Sequence, residues 1–182
     1  NDVVYKSTNG ASSWASSFSG AAEIRMVRVS SYNNYLYLAT NNGVYCSANE
    51  GSSWTQKVDG MGSDLDISSI ATDPSSSAVF AGSAGSLYKS TNNGDSWTNV
   101  GLMNASTSAF SGDSTWAVSR DNAFTSRHSG SSWTNYYLGS AGANFVAEQI
   151  YRKADNGLLL VAGSKNNAAS LYRSTPGAHP IG

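Results

Sequence analysis

Apolar and polar residues alternate in short runs along this chain, and the runs come in groups. The clearest series reads V-V-Y-K-S (Val3–Ser7), G-V-Y-C-S (Gly43–Ser47), S-L-Y-K-S (Ser86–Ser90), A-F-T-S (Ala123–Ser126) and S-L-Y-R-S (Ser170–Ser174). A two-residue alternation over four to eight positions predicts a half-buried strand. After a short polar turn a second run follows, opening on tryptophan: S-S-W-T-Q-K-V, D-S-W-T-N-V and S-S-W-T-N-Y-Y. The two runs are the arms of a hairpin. Upstream of each pair lie two more strand-like stretches: Arg25–Ser30 with Tyr35–Ala39, Ile67–Thr72 with Ala78–Gly82, Ser106–Ser111 with Thr115–Ser119, and Phe145–Arg152 with Leu158–Gly163. No stretch has the 3.6-residue period of a helix, so the chain reads as all-β.

The turn phrase itself repeats. It begins at Ser7 (S-T-N-G-A-S-S-W), Ser47 (S-A-N-E-G-S-S-W), Ser90 (S-T-N-N-G-D-S-W) and Ser126 (S-R-H-S-G-S-S-W), with a truncated S-T-P-G at Ser174. The opening serines lie 40, 43, 36 and 48 residues apart, the period of one four-stranded propeller blade. A four-stranded unit with apolar residues on both faces cannot bury them alone, and radial stacking of neighbours solves that problem. The expected fold is a β-propeller of four-stranded antiparallel blades, in units 1–18 (partial), 24–58, 66–100, 106–138 and 145–175 (partial). A sandwich is the alternative, and near-identical repeats at a fixed period argue against it. The register allows five closed blades, with residues 145–174 pairing with the Trp14 strand. It also allows a part of a larger ring, completed by further sequence or by a second chain.

The phrase resembles the Asp-box (BNR) repeat, S-x-D-x-G-x-x-W, of sialidases, sortilin-type receptors, xyloglucan-degrading glycosidases and photosystem assembly propellers. Its aspartate is replaced by Asn9, Asn49, Asn92 and His128, while the glycine stays at Gly51, Gly94 and Gly130 but is Ala11 in the first copy. A short polar side chain at the third position accepts hydrogen bonds from backbone N–H groups in its own turn. Glycine supplies positive φ, and Trp14, Trp54, Trp97 and Trp133 are expected to pack each hairpin against the body. Ser7, Ser47, Ser90, Ser126 and these partners are therefore expected to be folding devices. The resemblance implies that they lie away from the functional face.

A ligand is then expected at the opposite face, on the loops Thr40–Gly43, Ser83–Ser86, Ser119–Asn122 and Ser164–Asn167 and on the connections 61–66 and 136–144. The candidates are Asn41, Asn42, Arg120, Asp121, Asn122, Lys165, Asn166 and Asn167, since amides both donate to and accept from sugar hydroxyls. Trp116, Tyr136 and Tyr137 could add an apolar platform for a sugar ring. The bland alternatives are that the asparagines serve turns and that Trp116 is core.

Composition narrows the chemistry. The 182 residues carry 13% charged side chains and a net charge of −1, which does not favour nucleic acid or anionic lipid. No apolar run approaches the roughly 20 residues of a membrane span. Cys46 is the single cysteine, so no internal disulfide is expected. It shares its register with Lys6, Lys89 and Arg173, which predicts a surface-leaning, unreactive role. No metal or cofactor is expected.

Enzymes are thinly supplied. A sialidase needs an arginine cluster, but Arg127 and Arg173 belong to turn hairpins and leave Arg25, Arg28, Arg120 and Arg152. The Arg-Ile-Pro motif implied by the resemblance is absent. A glycosidase needs two carboxyl groups flanking the scissile bond. Asp64 and Asp66 stand about 7 Å apart on an extended segment but project to one side, and Asp64 with Asp121 is a freer pairing. His128 and His179 are the only histidines, one within a turn phrase and one near the C-terminus.

These features predict a non-enzymatic, lectin-like recognition propeller, extracellular or secreted, with a glycan as ligand. An extracellular protein partner is the alternative and a glycoside hydrolase the third reading. A homo-oligomer could complete the ring. Asn104-Ala105-Ser106 is a sequon.

Overall fold

The structure is a computed structural model. It describes residues 2–20, 22–101, 105–111, 114–119, 122–126, 134–137, 145–152, 159–165 and 168–173. The described elements are strands in five separate sheets. β1 (Val3–Lys6) pairs with β2 (Ala15–Ser19). β3 (Ile24–Val29), β4 (Leu36–Thr40), β5 (Gly43–Ser47) and β6 (Thr55–Lys57) form the second sheet in simple sequence order. β7 (Ile67–Thr72), β8 (Val79–Ser83), β9 (Leu87–Ser90) and β10 (Thr98–Asn99) form the third. β11 (Ala105–Ser111) to β14 (Thr134–Tyr137), through β12 (Ser114–Ser119) and β13 (Asn122–Ser126), form the fourth. β15 (Phe145–Arg152), β16 (Leu159–Lys165) and β17 (Ala168–Arg173) form a three-stranded fifth. All pairs are antiparallel meanders, as the alternation predicts. Among the described residues no helix is long and apolar enough to cross a membrane.

The first strands of successive sheets lie side by side, β3 on β7, β7 on β11 and β11 on β15. This is the blade stacking of a propeller. Each strand therefore has a face toward the preceding sheet and a face toward the following one. Between the second and third sheets the core is continuous. Tyr37, Ala39, Val44 and Cys46 of one meet Ile70, Val79, Ala81 and Tyr88 of the other, with Met61 and Trp97 sealing the seam. Between the first and second sheets, Phe18 stands edge-on to Tyr45 at 4.9 Å and to Trp54 at 5.9 Å.

The pairing that would close five blades, residues 145–174 with the Trp14 strand, is not made in this structure. β2 pairs with β1, and β17 ends its own sheet.

Three recurring turns carry one bonding pattern. The Asn49 carboxamide oxygen accepts from the Ser53 N–H at 2.9 Å and from the Ser47 hydroxyl at 2.9 Å, while the Gly51 N–H donates to Ser47 Oγ at 2.8 Å. Asn9 and Asn92 make the same bonds to Ser13 and Ser96. The fourth turn is described only at Ser126, which is buried; His128, Gly130 and Trp133 lie outside the described residues. Gly51 and Gly94 take φ of 80° and 88°, and Ala11 is held at 67° in the same place.

The tryptophans differ from one another. The Trp97 indole N–H donates to the Lys57 carbonyl of the preceding sheet, and the residue is 4% exposed. Trp54 donates to Ser17 Oγ of the preceding sheet and is half-buried. Trp14 is 61% exposed, a departure from the expected packing, since among the described residues no sheet stands in front of its own. Cys46 also departs from expectation. It is buried in the seam against Tyr37, and burial pushes its thiol up despite the Tyr37 hydrogen bond. At the same register Lys89 instead extends over the Phe80 ring.

Candidate functional site

The meander order puts the recurring turns at one end of the sheets, together with the β3–β4 and β7–β8 turns. Asn33 reaches Asn93 across this end at 2.7 Å. The β4–β5 and β8–β9 loops and the connections between sheets lie at the other. The Gly43 N–H donates to the Leu65 carbonyl at 2.6 Å there. This second end is the predicted ligand face.

Its best-defined part surrounds the β4–β5 loop. Asn41 and Asn42 are both exposed. Asn41 Oδ1 accepts from the Glu23 N–H at 2.9 Å, so this amide fastens the segment that enters β3. Asn42 is freer: its Nδ2 reaches only the Tyr45 hydroxyl, at 3.5 Å. Gln56 Nε2 donates to the Asn42 carbonyl at 2.7 Å. In the next sheet Asn99 Nδ2 donates to Ser86 Oγ at 2.7 Å, again bridging outer strand to loop.

Gln56 and Asn99 pair in register with Tyr45 and Tyr88, and Asn135 holds the same place opposite Phe124. An amide two residues after Trp54, Trp97 and Trp133 thus recurs at one register. The sequence reasoning missed it. The signal was present in W-T-Q, W-T-N and W-T-N, read only as strand.

Acidic groups on this end are engaged. Asp64 Oδ2 accepts from the Ser83 hydroxyl at 2.6 Å and from the Tyr88 hydroxyl at 3.3 Å. Burial raises the Tyr88 phenol above its ordinary value, Ser86 pulls the other way, and Asp64 adds to the rise. Asp66 forms an ion pair with Arg25 at 2.6 Å. A carboxylate pair flanking a substrate is therefore not built from Asp64 and Asp66. Among the described residues no group of three or more His, Cys, Asp or Glu side chains comes together.

The other predicted residues divide by location. Asn122 lies on β13 opposite Tyr137 of β14, and Tyr136 opposite Ala123, which brings Asn122 and Tyr137 together at the ligand end. Lys165 ends β16, opposite Ala168. Trp116 pairs with Thr125, the register place that Tyr37 and Phe80 fill, both fully buried. Arg120, Asp121, Asn166 and Asn167 lie outside the described residues. Two clefts among the described residues lie elsewhere. One of about 500 Å³ is lined by Asp2, Val3, Val4, Tyr5, Ile24 and Val27. The other, of about 320 Å³, borders Trp14 and Gly51.

With stacked four-stranded sheets in place, comparison with known proteins becomes decisive. The DUF6242 β-propeller domain matches residues 11–179. The chain belongs to this family. No curated protein matches it. Among solved structures, this DUF6242 propeller is similar to an ancestral GH74 enzyme, with a TM-score of 0.70 at 24% identity over 85% of this chain and 23% of that one. It is also similar to YCF48 bound to D1 peptide (TM-score 0.58, 13% identity, 84% of this chain and 55% of that one). A chain of a nidogen/laminin complex gives a TM-score of 0.68 at 13% identity, over 87% of this chain and 64% of that one. At these identities the likeness shows the fold alone. The DUF6242 propeller spans less than two thirds of each of these chains.

Proposed function

We propose that this DUF6242 propeller is a non-catalytic recognition domain that binds neutral glycans through its loop end. One contrast carries the reading. The described carboxylates there are engaged, Asp64 with Ser83 and Tyr88 and Asp66 with Arg25. Exposed amides recur there at one register, Gln56 and Asn99, with Asn42 beside the first. Uncharged amides that donate and accept suit hydroxyl-rich ligands. Repetition supplies avidity that a single shallow site lacks. The turn phrases, on this reading Asp-box repeats with asparagine for aspartate, act only in folding. On this reading the domain acts outside the cell.

The test is a glycan array probed with the full chain and with the Asn42→Ala/Gln56→Ala double variant. Binding to neutral glycans that falls tenfold or more in the variant supports the reading. A blank array sinks it, and release of cut sugar from a bound glycan would return the chain to the hydrolases. The second reading, a protein-binding scaffold, is favoured by the YCF48–D1 peptide and nidogen/laminin structures. It is selected if the array is blank and a displayed peptide library yields binders sensitive to the same double variant.

A further inference from the structure

Two tyrosines hold one register in neighbouring sheets, and their hydroxyls meet different fates. Tyr45 pairs with Leu38 and Gln56, and Tyr88 with Ala81 and Asn99. Each ring faces the sheet in front. Tyr45 stands edge-on to Phe18 at 4.9 Å, and Tyr88 joins the core shared with the second sheet.

The Tyr88 hydroxyl is answered from within the chain. The Met61 carbonyl lies 3.1 Å from it and Asp64 Oδ2 lies 3.3 Å from it. Both come from the connection between β6 and β7, residues 58–66. Asp64 Oδ2 also accepts from the Ser83 hydroxyl, and a Cβ on Gly85 would stand 2.7 Å from the same oxygen. A carboxylate oxygen thus fills the corner between this tyrosine and the β8–β9 loop. The neighbouring amide is engaged as well: Asn99 Nδ2 donates to Ser86 Oγ, and Asn99 Oδ1 accepts from the Gly101 N–H at 2.8 Å.

The second sheet keeps the tyrosine without that oxygen. Its connection from β2 to β3 is the shorter stretch 20–23, which also lies inside the chain. Among the described residues the half-buried Tyr45 offers its hydroxyl to no acceptor; only Asn42 Nδ2 reaches it, at 3.5 Å. Asn42 stands two residues before Val44, the place that Gly85 holds before Leu87. Gln56 Nε2 is held by the Asn42 carbonyl at 2.7 Å, and neither side-chain amide oxygen is bonded among the described residues.

We infer that the Tyr45 hydroxyl, beside the Asn42 and Gln56 carboxamides, is the specificity-determining donor of the loop end, and that it donates to a sugar oxygen placed as Asp64 is placed against Tyr88. The inference rests on the glycan reading above and names the contact that selects the ligand. The partner is a hydroxyl and not a carboxylate. A carboxylate only accepts, which suits Tyr45 but sets acceptor against acceptor at the two amide oxygens. A sugar hydroxyl accepts from the tyrosine while its neighbours donate to the amides.

The experiment is calorimetric titration of the full chain with soluble neutral oligosaccharides and with oligosaccharides bearing glucuronate. The variants are Tyr45→Phe and Tyr32→Phe. Tyr45→Phe removes the hydroxyl and keeps the ring on Phe18, so thermal unfolding should not move. It should weaken binding of the neutral sugars by about three- to tenfold, the loss of one hydrogen bond. Tyr32 is 54% exposed on the β3–β4 turn at the opposite end, and Tyr32→Phe should bind as wild type does. Neutral sugars held equally by wild type and Tyr45→Phe, yet lost from the Asn42→Ala/Gln56→Ala variant, overturn this inference and leave the glycan reading standing. Tighter binding of the glucuronate-bearing sugars overturns the assignment of a hydroxyl. Wild type that binds neither class overturns the glycan reading and this inference with it.

Discussion

Truncating the three described tryptophans separates the contribution of packing between sheets from that of the hairpin itself. Trp97, Trp54 and Trp14 sit in near-identical phrases, each after the same bonded turn. They differ in what stands in front of them. Trp97 is 4% exposed; a side chain of roughly 200 Å² at about 25 cal/mol per Å² gives a ceiling near 5 kcal/mol. Its indole N–H also satisfies the Lys57 carbonyl at 3.1 Å. Trp97→Ala should therefore cost about 3–5 kcal/mol, the usual range for a buried aromatic.

At 61% exposure, the same arithmetic leaves Trp14 a ceiling of roughly 2 kcal/mol. Trp54, half-buried with its N–H on Ser17 Oγ at 3.2 Å, should fall between. Trp97→Phe keeps most of the area but not the donor, and should cost about 1–3 kcal/mol from the unpaired carbonyl. The assay is urea unfolding followed by far-UV circular dichroism, at a concentration where the chain is monomeric. An equal loss in Trp14→Ala and Trp97→Ala, within about 0.5 kcal/mol, the usual effect of a surface substitution, would refute the view that the indole acts between sheets.

Two further predictions concern turns. Gly51→Ala and Gly94→Ala should each destabilise by at least about 1–2 kcal/mol, the cost of left-handed backbone with a Cβ. Contact adds to it: the new Cβ would lie 2.6 Å from Ser17 Oγ in one case and 3.2 Å from the Trp97 ring in the other. Ala11→Gly, exposed and already at φ 67°, should change stability by less than about 1 kcal/mol, because relieved strain is offset by backbone entropy. Equal effects in chemical unfolding at all three positions would contradict this. The second prediction is a pH dependence. Burial works to raise the Asp73 carboxyl, but hydrogen bonds from Ser75 and Ser76 outweigh it and hold it below its ordinary value. Such a group stabilises the fold above the unfolded value of about 3.9 and loses that contribution as pH falls through its lower folded value. Wild type should thus lose stability below about pH 4 more steeply than Asp73→Asn; a difference between the two that stays constant from pH 6 to 2 argues against it.

Much of the fold was legible because a repeat reports the same physics several times. Strand limits read from alternation agree with the structure to within about two residues in the described sheets, as they should where one period sets both face and register. The bonding role of the third-position asparagine was legible too, since its carboxamide oxygen accepts the Ser13, Ser53 and Ser96 N–H groups. Cys46 was misread. Its register mates are lysine and arginine, and a thiol can drop into the seam beside Tyr37 where Lys89 must reach outward over Phe80. The candidate site was legible only as loops, because asparagine serves turns and ligands alike. Asn41 shows the first use, bonded to the Glu23 N–H, while Asn42 makes only a 3.5 Å contact with the Tyr45 hydroxyl through its side chain.

Departures from the repeat carry the information that its regularity does not. Ala11 stands where Gly51 and Gly94 are needed, and it is tolerated because it is exposed, whereas a Cβ at Gly51 would meet Ser17 of the preceding sheet. Exposed Trp14 has the same cause. Both lack, among the described residues, the contact with a neighbouring sheet that Gly51 and Trp54 make through Ser17. A fold assembled from like units states its internal contacts once and repeats them. What it recognises is therefore to be sought at positions released from that duty, such as Asn42 and Gln56 at the loop end. The fold class alone assigns none of these roles. They follow from comparing each residue with its register mates and asking what the mate touches that it does not.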